Sequence, residues 1–60
     1  MLYVVQSRYK HKGLWEGWCT VFSSQKPVLL QDGQEIPPHY QPQSDDEEFR
    51  FIPLQEAGIL

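Results

Sequence analysis

The sequence predicts a small α+β domain: a three-stranded antiparallel sheet in the order 2-1-3 with one short helix, β-β-α-β along the chain. Three observations predict it. The first is an opening run dense in β-branched and aromatic residues. The second is a tryptophan-bearing run, Gly13-Leu14-Trp15-Glu16-Gly17-Trp18-Cys19-Thr20-Val21-Phe22, that follows it across a glycine. The third is a closing Phe49-Arg50-Phe51-Ile52 stretch, separated from the first two by a segment with helix start and stop signals. Sixty residues make one domain, close to the size at which a single core barely suffices, so large rings must supply much of what is buried.

Residues 2–9 read as the first strand, because Val, Tyr and Leu suit a pleated, half-buried surface. Lys10, His11, Lys12 and Gly13 then form a hairpin loop, with Gly13 able to take the positive φ such a loop demands. Residues 14–22 return as the second strand. A two-residue alternation sends Trp15, Gly17, Cys19 and Val21 to one face and Leu14, Glu16, Trp18, Thr20 and Phe22 to the other. The two tryptophans are thereby expected on opposite faces, one of them half exposed.

Ser23 and Ser24 resemble a helix N-cap pair, Pro27 fits a first turn, and Val28, Leu29 and Ile36 supply an inward stripe. A short helix over residues 24–35 follows, ended by Pro37 and Pro38. The rival reading makes this segment extended, with a turn at Asp32-Gly33, and the domain mostly β. Residues 36–47 are a Pro-rich and then acidic connector, residues 48–52 the third strand, and residues 55–60 a fraying tail. The expected core is Val4 or Val5, Trp15 or Trp18, Val21, Phe22, Leu29, Phe49, Phe51 and Ile52. In this layout the acidic run Asp45-Asp46-Glu47-Glu48 lies beside the basic loop Lys10-His11-Lys12.

Composition excludes several functions. The lone Cys19 leaves no disulfide within the chain and reads as a small buried hydrophobe. His11 and His39 lack further ligands at metal-binding spacing, so no metal is expected, nor any other cofactor. Consecutive acids at a strand start are solvated and unsuited to general acid–base work, and no nucleophile–base pair is visible, so the chain is not expected to be an enzyme. No apolar run approaches the roughly 20 residues that span a bilayer, which places the protein in the cytoplasm with no membrane role.

Two binding functions remain. A basic–aromatic cluster, Arg8, Tyr9, Lys10, His11 and Lys12, has the chemistry to track phosphates and stack bases. The formal net charge of −3 weighs against nucleic acid as partner. Protein binding fits better, with Trp15, Trp18, Tyr40, Asp45 and Asp46 as the expected contact residues, since Trp and Tyr are common interface anchors. An unpaired edge strand also offers a route to a homodimer.

The layout Tyr-Val-Val-Gln-x-Arg, Lys-Gly-x-Trp-x-x-Trp, Phe-x-Ser and Glu-Phe-Arg-Phe-Ile resembles small accessory proteins of tailed phages and prophages. It departs from them after the serines, where Gln25-Lys26-Pro27-Val28-Leu29-Leu30 replaces an acidic, alanine-rich helix. The resemblance implies a non-enzymatic regulatory protein in a bacterial host cell, binding a host or phage protein.

Overall fold

The computed structural model describes residues 1–58 and is mostly β. Among the described residues there are seven strands: β1 (Leu2–His11), β2 (Leu14–Trp15), β3 (Cys19–Thr20), β4 (Phe22–Ser23), β5 (Lys26–Pro27), β6 (Leu29–Gln31) and β7 (Glu47–Pro53). Single 3-10 turns occupy Pro38–Tyr40 and Leu54–Glu56, and there is no α-helix among the described residues. The α+β class and the helix over 24–35 are therefore overturned. Ser24 and Gln25 take positive φ values of 53° and 67°, forming the corner of a hairpin between β4 and β5 rather than a cap. Pro27 lies in an extended strand, and Gly33, at φ 77°, turns the chain after β6. The turn chemistry of Asp32-Gly33 outweighs the helix signals around it.

The main sheet has five strands rather than three, and β1 is its hub. β2, β3, β6 and β7 all pair with it antiparallel. Backbone alternation shows which edge each one uses. The carbonyls of Tyr9 and Val5 accept from the N–H groups of Glu16 and Val21, and the Val5 N–H donates to Val28. The odd-numbered residues of β1 thus bond to β2, β3 and β6 in succession. The Lys10 N–H instead donates to the Asp46 carbonyl, so the even-numbered residues bond to β7 on the other edge.

The turn between β1 and β2 is only Lys12 and Gly13, at φ 53° and 80°, closed by the His11–Leu14 pair. Both residues in the left-handed region make a turn whose twist matches the strands, which lets β1 run on to His11.

Val4 and Val5 are both fully buried, so the sheet is covered on both faces at its middle. Leu30 is the remaining buried apolar residue among those described. On the face of Val5, the connector from Asp32 to Asp46 crosses the sheet, bringing Ile36 beside Phe51 and setting the Tyr40 ring 6.4 Å from that of Phe49. Two expected core residues are not core: Phe22 is 61% exposed and Leu29 40%. Cys19 is exposed as well, because its strand lies at the sheet margin. The tail begins as a 3-10 turn, and residues 59 and 60 lie outside the described residues.

Candidate binding face

The return arm of the first hairpin changes register partway. Trp15 pairs with Lys10, so Glu16 falls opposite Tyr9; beyond the break Cys19 pairs with Ser7 and Thr20 with Gln6. Two residues, Gly17 and Trp18, therefore oppose the single residue Arg8. This is a β-bulge. It shifts every later residue of the arm by one position. Trp15 and Trp18, an odd number of residues apart, end up on the same face, not on opposite ones as simple alternation requires.

That face is an ordered stack of cations and rings. The Arg8 guanidinium carbon lies 4.6 Å from the ring centre of Trp15 and 4.8 Å from that of Trp18. Arg50 approaches Trp18 at 4.5 Å, and the Lys10 ammonium approaches Trp15 at 5.5 Å. Both tryptophans are half-buried. A guanidinium over an indole face is attracted by the ring quadrupole, by about 0.5–1 kcal/mol at exposed sites and more when desolvated.

Two further side chains fix the arginines. Arg8 Nε donates to Glu48 Oε1 at 2.6 Å, and the two residues form an ion pair across the β1–β7 ladder. Arg50 Nε donates to Gln6 Oε1 at 2.8 Å. The Gln6 amide in turn donates to the Thr20 hydroxyl at 3.3 Å. Gln6 is nearly buried, and no buried polar side-chain atom among the described residues lacks a partner. Both guanidiniums are held by their Nε edge, which leaves their planes free to stack.

The face is also electrically distinct from the rest of the chain. Three of the five Lys and Arg residues stand on it, Arg8, Lys10 and Arg50, against one acid within the strands, Glu48, with Asp46 at its end opposite Lys10. Glu47, and Glu16 just beyond β2, register with Tyr9 and belong to the opposite face. An acidic protein thus presents one locally cationic, aromatic surface.

The other expected contact residues are elsewhere. Tyr40 lies across the opposite face, stacked edge-on against His39 at 4.1 Å as well as against Phe49. Asp45 and Asp46 are exposed in the turn leading to β7, where the Asp46 carbonyl accepts from the Lys10 N–H. The acidic run does lie alongside the end of β1, since Glu47 and Glu48 pair with Tyr9 and Arg8. The ion pair there is made by Arg8, not by the loop lysines. The basic cluster is divided by strand alternation: Arg8 and Lys10 point to the tryptophan face, Tyr9 and His11 to the other, and Lys12 sits in the turn. The sequence carries no site signal at Gln6, and Glu48 figures there only within the acidic run Asp45-Asp46-Glu47-Glu48. The Arg50–Phe51 alternation within β7 is the one sequence signal that points to an arginine on a sheet face.

No group of three His, Cys, Asp or Glu side chains able to hold a metal occurs among the described residues, and no helix there is long and apolar enough to cross a membrane. No family model matches the chain, and no curated protein or solved structure is detectably similar to it.

Proposed function

We propose that this chain is a non-enzymatic accessory protein that acts by binding another protein through the Trp15–Arg8–Trp18–Arg50 face. The observation that carries the reading is the bulge-gathered stack itself: two half-buried indoles and two arginines, held in place before any partner arrives. Trp and Arg are the residues that most often dominate binding energy at protein interfaces. Rings and guanidiniums already ordered by stacking lose little freedom on association. The net cationic character selects a partner that offers carboxylates around an apolar centre. The resemblance of the sequence layout to small phage accessory proteins supports a host or phage protein in the bacterial cytoplasm as that partner.

A second reading rests on the same cations and rings, which also suit single-stranded nucleic acid. The division of the cluster at residues 8–12 between two faces leaves that reading fewer phosphate contacts.

The test is Trp18→Ala. Its far-ultraviolet circular dichroism should match that of the unaltered chain. Its affinity for the captured partner protein should fall at least tenfold, about 1.4 kcal/mol. Equal affinity overturns the reading. An oligonucleotide titration that shows steeply salt-dependent binding transfers the face to the nucleic-acid reading.

A further inference from the structure

The outer edge of β7 is open. Glu48, Arg50 and Ile52 direct their backbone groups inward to β1, so Phe49 and Phe51 direct theirs outward. No described group hydrogen-bonds to the N–H or C=O of either residue. The connector does not screen them, because it crosses the sheet on the face of Phe49 and Phe51 rather than around the edge. Few of the devices that usually blunt an edge are present in the stretch, whose charges, Glu47, Glu48 and Arg50, are of mixed sign. It has no lysine and no bulge, and its proline, Pro53, comes at the very end.

We infer that β7 is a self-association edge, on which a second copy of this chain pairs antiparallel, β7 to β7, about a two-fold axis at Phe49. Two registers use the outward groups. An axis at Arg50 sets Arg50 against Arg50 of the second copy, a like-charge pair directly opposed. It also aims Glu47 at Pro53, which has no N–H to return. An axis at Phe49 pairs Phe49 with Phe49 and Phe51 with Glu47, and sets Arg50 opposite Glu48 twice. Charge complementarity chooses the second. Four inter-chain bonds then come from the Phe49 and Phe51 N–H groups alone, while the Glu47 N–H keeps its turn bond to the Ser44 carbonyl.

The consequence for binding is geometric. Residues opposite one another in an antiparallel pair point to the same face. The two tryptophan faces therefore lie side by side on one side of a continuous sheet. Two such faces engage a partner with repeated sites far more tightly than one.

The experiment is sedimentation equilibrium of the full chain from micromolar to millimolar concentration, paired with amide hydrogen exchange at both limits. The expected mass rises from 7.1 kDa toward twice that value. Over the same range the Phe49 and Phe51 amides gain at least tenfold protection, while Glu48, Arg50 and Ile52 are protected throughout. A mass that stays at 7.1 kDa at millimolar concentration overturns the proposal. A dimer in which Phe49 and Phe51 still exchange freely overturns it too, because the copies then meet through another surface. Neither readout depends on what the tryptophan face binds.

Discussion

The two edges of β1 are built in opposite ways. Along one, β7 pairs in a single unbroken register from Tyr3–Pro53 to Tyr9–Glu47. Along the other, the chain pairs in three short pieces, β2, β3 and β6, interrupted by a bulge and by the excursion of the β4–β5 hairpin. The regular edge closes the chain on itself and fixes the faces of Phe49 and Phe51. The irregular edge does what a regular one cannot, which is to put two tryptophans three residues apart on one surface. Here continuity serves stability, and interruption serves display.

The largest expected effect comes from the hub that both edges share. Val5→Ala removes two methyl groups from a fully buried site on β1. It should cost about 2 kcal/mol, a large share of the stability of so small a domain, and show as a lower midpoint in urea. An unchanged midpoint would mean that β1 is not the centre of the fold.

Deleting Gly17 tests the irregular edge alone. Without the extra residue the bulge closes, and Trp18 falls directly opposite Arg8, two positions from Trp15 and still on its face. The hairpin should persist by circular dichroism, with indole fluorescence and partner binding close to those of the unaltered chain. A loss of binding as large as in Trp18→Ala would show that display depends on the geometry of the bulge itself and not only on the face each indole takes.

The smallest effect lies at the foot of the irregular edge. Tyr3 donates its hydroxyl to Asp32, and the Met1 ammonium lies 3.3 Å from the same carboxylate. The tyrosine hydrogen bond, and secondarily that ammonium, hold the Asp32 carboxyl below its ordinary value. Its contribution is therefore present above the ordinary aspartate range and fades as pH falls through the lowered value. Tyr3 is shifted upward by the same bond, so its contribution holds below the ordinary tyrosine value and fades in strong alkali. Asp32→Asn should flatten the acid limb of a stability–pH curve slightly and leave neutral stability nearly unchanged. An acid limb that coincides with that of the unaltered chain would show the contact contributes nothing.

The contrast between the edges also explains what could be read from the sequence. Residues 2–9 and 48–52 announce themselves as strands because β-branched and aromatic residues sit where a pleated surface needs them. The segment from Ser23 to Ile36 misleads because its signals are local and ambiguous. Two serines ahead of a proline suit a helix start, yet the same small polar residues suit a hairpin corner, and pairing with β1 selects the latter. The tryptophan face was hidden for a different reason. Trp15 and Trp18 both read as contact residues, but their union depends on register against Arg8, which residues 14–22 by themselves do not encode. Gln6 was hidden likewise, since its role exists only once Arg50 and Thr20 arrive from distant parts of the chain.

The bulge behaves like a shift of reading frame written in three dimensions. Upstream of it, odd positions of the arm face the indoles' side; downstream, even positions do. At its present length the interval between Glu16 and Cys19 needs the bulge, since regular pairing would exchange what the arm exhibits and what it conceals. One codon fewer would remove the bulge and leave every later residue on the face it now has, so variation in this protein should tolerate that loss there sooner than a stiff, β-branched pair that forbids the bulge.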